Sequence, residues 1–341
     1  MAQMKYFYEL TISSSPHVHS PVTTQTIMRD VLIALCPALI GSIYFFGFRA
    51  LMVTLVSVAA CVFFEWGYCK ITKMHCKVYD LSACVTGVLL AFVCPVTIPY
   101  WTIILGAFFA IILVKMLFGG LGRNIVNPAL AGRAFMFSWP VLMSTWIKVG
   151  SWSSSGSFAP VLGDTSVEAL DGLTGATPMA AMHLGDMPAE RIGQLFLGNV
   201  GGCIGETSAL LLLIGFAYLL YRKVITARIP LAYIGTVAVL TFLIPQGNDR
   251  IAWMAAQLFG GGLMLGAIFM ATDYVTSPVT KLGQLVYGIG CGVLTIMIRY
   301  FGGYNEGVSY AILVMNCCTV LLDRIGRPTK FGAPRKEAAK K

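Results

Sequence analysis

The sequence predicts an all-α integral membrane protein of about ten transmembrane helices, arranged as two inverted five-helix repeats. Three observations predict it. The 341 residues are 57% hydrophobic and only 11% charged, where a soluble chain carries about 25% charged residues. The apolar runs are continuous and about 17–22 residues long, enough to cross about 30 Å of hydrocarbon as helices and the wrong pattern for an alternating β-barrel. The chain also matches itself at an offset of 183 residues. Cys94-Pro95-Val96-Thr97 falls on Ser277-Pro278-Val279-Thr280, and Phe118-Gly119-Gly120 falls on Phe301-Gly302-Gly303.

Taken in order, residues 1–30 form a polar N-terminal segment with no apolar core and cleavage site, so they do not read as a signal peptide. The first repeat, 31–147, holds spans at 31–48, 50–69, 81–98, 101–118 and 128–147. A long polar loop follows at 148–198. The second repeat, 199–323, holds spans at 200–221, 229–244, 251–272, 282–298 and 307–322, and a basic tail closes the chain at 324–341. The matched stretches belong to spans three and eight, then four and nine. A displacement of five helices reverses direction, hence the inversion. Pro95 and Pro99 interrupt the end of span three, and Gly260-Gly261-Gly262 loosens span eight. Such breaks survive in a bilayer only where protein or a cavity satisfies the freed backbone, although glycines also serve close helix packing.

The net charge of +9 reads as membrane orientation rather than as a nucleic-acid surface. With the N-terminus in the cytoplasm, 18 of the 24 Lys and Arg residues fall on the cytoplasmic side and five outside, with Arg133 inside span five. This bias places both termini inside and the loop 148–198 outside a cytoplasmic membrane.

The residues able to carry chemistry are few. The ten cysteines make no CxxC and mostly lie within spans, so they read as small apolar filler. His17 and His19 form only a weak metal pair, and no metal site is expected. Glu65, Glu206, Asp273, Asp323 and Arg133 lie within or at the ends of spans, where ionisable groups are either functional or interfacial anchors. Glu65, between Phe64 and Trp66, suits uptake of Na+ or a proton. The run 119–128 is dense in glycine and asparagine. It reads either as a tight turn with Pro128 opening a helix or as a site whose amides hold a planar heterocycle, with Arg123 holding an anion; the full run favours the site. No nucleophile elbow, P-loop, Rossmann fingerprint or EF-hand loop is present, so catalysis by a side-chain triad is not expected. In the outer loop, Gly172 and Gly175 permit close backbone approach, and the Thr177 hydroxyl precedes Pro178 as a candidate phosphoryl acceptor.

Asp171-Gly172-Leu173-Thr174-Gly175-Ala176-Thr177 resembles the flavinylation motif D-G-x-S/T-G-A-T of the RnfD and NqrB membrane subunits. Phe118-Gly119-Gly120-Leu121-Gly122-Arg123-Asn124, Asn127-Pro128-Ala129-Leu130-Ala131-Gly132-Arg133, Ala271-Thr272-Asp273 and Phe301-Gly302-Gly303-Tyr304 resemble that family too. The likeness runs from about residue 13 to 327. RnfD is the nearer pattern, because only about thirty residues precede the first span; Tyr274 departs from it where the family often has Pro. The resemblance implies FMN held by a phosphoester on Thr177, with Asp171, Gly172, Thr174, Gly175 and Ala176 around it, installed by a flavin transferase outside the cytoplasm. It further implies a second, non-covalent flavin (riboflavin or FMN) near Arg123, Asn124, Asn127 and Asp273, and cation uptake at Glu65 and Asp323. The partners it implies are the A, B, C, E and G proteins of the Rnf complex, the last bearing a flavin and C binding NAD.

Two other functions compete. One is the sister subunit of a Na+-translocating NADH:quinone reductase. The other is a flavin-free channel or transporter for a small solute, which five-helix inverted repeats also suit.

Overall fold

The computed structural model describes residues 22–73, 78–143, 146, 177–188, 192–206, 208–247 and 249–325. Most of the N-terminal segment, the outer loop as far as 176 and the tail from 326 lie outside the described residues, as do Asp171, Gly172, Thr174, Gly175 and Ala176.

Every regular element among the described residues is helical. Besides short turns of helix at Val78–Asp80 and Pro140–Met143, they are α1 (Thr24–Phe46), α2 (Phe48–Thr72), α3 (Ser82–Phe92), α4 (Tyr100–Met116), α5 (Pro128–Met136), the short α6 (Pro178–His183) and α7 (Ile192–Leu197), α8 (Ala209–Tyr221), α9 (Arg228–Leu243), α10 (Arg250–Phe259), α11 (Leu263–Met270), α12 (Lys281–Phe301) and α13 (Val308–Leu322). Helix α1 starts seven residues before the apolar run suggests, because the Thr23 hydroxyl and Thr26 close a capping box over a polar first turn. A single residue, Gly47 at φ 77°, turns α1 into α2.

Three helices, α1, α2 and α12, are long and apolar enough to cross a bilayer alone, and α10 with α11 passes as one span bent by 61°. Helices α3, α5 and α8 are much shorter than the sequence suggests. Among the described residues of span five, helix is confined to the nine residues of α5 and a short turn at Pro140–Met143, and the helix of span six begins only at Ala209, behind the irregular residues 198–206. Helices α1 and α2 show apolar side chains on their outer as well as their inner faces, with Ile40, Leu55 and Phe63 exposed. On α12 the exposed row is Leu282, Leu285, Val286, Ile289, Val293 and Met297. Residues spaced by three and four along one face form a single stripe, and an apolar stripe turned outward is the inverse of a soluble helix.

Helix α1 packs on α8, α2 on α3 and α4, and α9 on α10 and α12; α5 lies against α4, α3 and α13. The last turns of α4, Phe109–Met116, and of α11, Gly266–Met270, are wound as π-helix. Such widened turns recur at functional positions.

The breaks are where backbone groups need partners. After α3 ends at Phe92, the carbonyls of Phe92 and Cys94 accept from the amides of Gly205 (2.9 Å) and Ile204 (3.0 Å). The buried Arg49 donates to the carbonyls of Val96 (2.8 Å) and Thr97 (3.2 Å). At the Gly260–Gly262 break, buried Arg299 does the same for Gln257 (2.6 Å) and Gly260 (3.4 Å). Each broken helix is thus closed by a guanidinium, which offers several donors in a fixed fork. The charge count places both arginines outside; the structure withdraws them into protein.

Candidate functional site

Two cavities stand at the two ends of α5. The first, about 80 Å³, is lined by Lys115 of α4, Asn124 and Asn127 of the glycine-asparagine turn, and Thr272, Asp273 and Tyr274 beyond α11. Asn127 caps α5, its Oδ1 accepting from Ala129 (3.0 Å) and Leu130 (3.4 Å), while its Nδ2 donates to the Met270 carbonyl (3.3 Å). One side chain therefore starts a helix and ties it to the end of another, as the tight-turn reading of this run expects, and the same run lines the cavity. Asn124 is buried, its Nδ2 donating to Val126 (3.2 Å). Burial pushes the Asp273 carboxyl up from its ordinary range, opposed by the Thr276 hydroxyl and by the amides of Val275 and Tyr274. The Tyr274 hydroxyl donates to the Val224 carbonyl, which gives the residue a local task at the position where the sequence departs from the RnfD pattern. Arg123 is exposed beside Gly119 and does not line this cavity.

Lys115 reaches the cavity wall from within protein. Its Nζ donates to Glu65 Oε2 (2.7 Å) and Ser82 Oγ (2.8 Å), and both charged side chains are buried. Glu65 is therefore paired rather than presented as an open acid. Asp323 is committed too: Oδ1 accepts from the amides of Val279 (2.8 Å) and Thr280 (3.5 Å) ahead of α12.

The second cavity, about 150 Å³, is lined by Thr177, by the rings of Phe137, Trp146, Tyr304 and Tyr310, and by Arg133 and Glu306. Tyr304 and Tyr310 lie 4.7 Å apart, with Phe137 6.0 Å from Tyr304. Thr177 caps α6, its Oγ1 accepting from Ala180 (3.3 Å). Arg133 is the hub beneath. It donates to Glu306 Oε2 (2.6 Å), Glu206 Oε1 (3.2 Å) and Ser309 Oγ (2.8 Å), and its guanidinium faces the Phe137 ring at 5.5 Å.

The sequence singles out Arg133 and Glu206 separately but not Glu306, which reads as an ordinary loop acid; its one signal is its place directly after Gly303-Tyr304-Asn305. Lys115 reads by charge as cytoplasmic, although its apolar neighbours on both sides mark it as buried.

The sequence matches the NQR2, RnfD, RnfE family over residues 11–332. The chain belongs to that family. Within the NQR2, RnfD, RnfE family, it is 45% identical over 335 residues to the D subunit of the Na+-translocating ferredoxin:NAD+ oxidoreductase complex of Acetobacterium woodii, covering 96% of this chain and 98% of the relative. It is 41% identical to the D subunit of the proton-translocating ferredoxin:NAD+ oxidoreductase complex of Clostridium ljungdahlii, covering 95% and 97%. It is 35% identical to the D subunit of the ion-translocating oxidoreductase complex of Actinobacillus succinogenes, covering 94% and 97%.

Proposed function

We propose that this chain is the D-type membrane subunit of an Rnf-type complex that couples electron exchange between ferredoxin and NAD+ to movement of Na+ or H+ across the cytoplasmic membrane. The carrying observation is that Thr177, the last residue of the flavinylation-like motif, lines an aromatic cavity above a buried arginine. Those residues fit a flavin: four aromatic rings suit a planar heterocycle, and Thr177 offers the hydroxyl for its phosphate. Bound there, FMN supplies electron transfer. The chain holds it in place, keeps water from its faces and sets the surrounding charge through Arg133 and Glu306.

The inner cavity is the candidate seat of a second, non-covalent flavin. Asn124 and Asn127 meet its polar edge from one side and Asp273 from the other, with Lys115 supplying positive charge.

The ten-span inverted repeat belongs to the same reading. At the 183-residue offset, Leu121, Asn124 and Asn127 of the first cavity correspond to Tyr304, Gly307 and Tyr310 of the second. The two cavities are then two copies of one site, facing opposite sides of the membrane. Both termini lie in the cytoplasm and Thr177 lies outside, where a flavin transferase and the flavin-bearing G protein of the complex reach it. The A, B, C and E proteins complete the assembly.

Expression with a flavin transferase tests this. A denaturing gel should show a fluorescent band at the mass of the chain, and Thr177→Val should abolish it. A fluorescent Thr177→Val band would overturn the assignment.

A further inference from the structure

Beside the outer cavity lies a smaller one of about 20 Å³, lined by Thr177, Cys203, Glu206, Gly261 and Glu306 among others. It has room for about one water molecule or one small ion. Its wall carries two carboxylates and a thiol whose ligand atoms lie within 4.8 Å of one another. The Glu206 side chain is only 3% exposed, and its one ion-pair partner among the described residues, Arg133, bonds Oε1. Glu206 Oε2 is buried and has no hydrogen-bond partner among the described residues. Left charged and unmet, such an oxygen is costly, and a shared proton, a water or a cation would each relieve it.

The surroundings select what can fill the gap. Arg133 of α5 faces both acids, and Arg299 of α12 donates to the Glu306 carbonyl at 3.1 Å. With two arginines already present, a divalent ion would leave more excess positive charge in a buried place than a monovalent one. The Cys203 thiol donates to the Val93 carbonyl at 3.3 Å and receives Arg133 at 3.7 Å, so it is engaged rather than offered as a thiolate for a soft metal. What remains are hard oxygens around a water-sized space. Gly262 lets the backbone of the break lie close against Glu206, since a Cβ there would sit 2.5 Å from Glu206 Oε1.

We propose that this cavity binds a single monovalent metal cation of sodium's size, held between Glu206 and Glu306 directly beside Thr177. Its part in transport rests on the function proposed above; the binding itself does not. The ion would occupy the one place among the described residues where a buried acid oxygen, a neighbouring carboxylate and the candidate flavin position meet. A change of charge on the flavin would then be felt by the ion at close range, in a medium where screening is weak.

The test is the thermal midpoint of the purified, flavin-loaded protein in sodium chloride against choline chloride at equal ionic strength. Wild type should show a midpoint that climbs with Na+ and not with choline. Glu206→Gln and Glu306→Gln should each lose that rise, and exposed Asp186→Asn should keep it. If Glu206→Gln does not accumulate, Glu306→Gln and sodium NMR line broadening of wild type give the reading. Equal midpoints in both salts, a rise retained in either glutamine variant, or a response to pH alone would overturn the site. Wild-type protein made without a flavin transferase should keep the Na+ response; no gel fluorescence after loading, with that response intact, separates a failed flavin assignment from a failed cation site.

Discussion

Lys115 and Glu65 form a buried ion pair at 2.7 Å, with the Ser82 hydroxyl as a second acceptor for the same ammonium. They join the widened turn of α4 to α2, fifty residues apart in sequence. Removing one partner leaves an uncompensated charge inside protein, which costs about 3–5 kcal/mol, whereas removing both together is often close to neutral. Lys115→Met and Glu65→Leu should each depress the thermal midpoint and yield, and the double variant should recover most of the loss. A double variant as unstable as the sum of the singles would show that the pair is not a closed unit.

Arg49 offers a sharper test of how the first break is held. Lysine keeps the charge but cannot span the Val96 and Thr97 carbonyls as the guanidinium does. Arg49→Lys should destabilise by about 1–3 kcal/mol, the cost of a buried acceptor left unmet. Thermal unfolding in detergent reads it, and a midpoint matching wild type would show that charge alone suffices.

Gly132 is the point at which α5 touches both α3 and α4. A Cβ there would lie 2.9 Å from the Gly106 carbonyl and 3.1 Å from Leu90 and Ala110. Backbone cannot yield as a side chain does, so Gly132→Ala should cost about 1–3 kcal/mol. The same substitution at exposed Gly193, where a Cβ meets nothing, should leave stability unchanged in a parallel melt.

The two cavities should separate biochemically. Acid precipitation releases non-covalent flavin and leaves the covalent kind on the chain. Asp273→Asn and Asn124→Ala should reduce the released fraction while the fluorescent gel band persists; Thr177→Val should do the reverse. Parallel loss of both pools in every variant would mean that a single site accounts for the flavin.

Much of this is legible in the sequence because apolar runs and helix breakers are local. The composition announces helices for a lipid solvent, and Pro95, Pro99 and the glycines at 260–262 announce where those helices fail. Asn124, Asn127 and Asp273 stand out in two distant motifs, and the fold brings them to one cavity. The pairings are hidden. Hydropathy registers that Lys115 sits in an apolar run but not that Glu65 waits on α2. Likewise nothing local ties Glu306 to Arg133 across 173 positions. Span lengths mislead for a related reason: an apolar stretch such as 128–147 counts as a span whether lipid or protein surrounds it, yet among its described residues only Pro128–Met136 and a short turn beyond it are helical.

The brevity of α5 has an electrical consequence. Nine residues of helix rise about 13 Å, less than half of the roughly 30 Å that hydrocarbon imposes elsewhere. In the proposed arrangement, with one cavity open to each side of the membrane, the insulating layer would shrink to about that length. In the proposed complex the transmembrane voltage, worth about 2.3 kcal/mol per elementary charge per 100 mV, would be concentrated along α5. A charge passing from one cavity to the other would then work against nearly the full potential within a single short step.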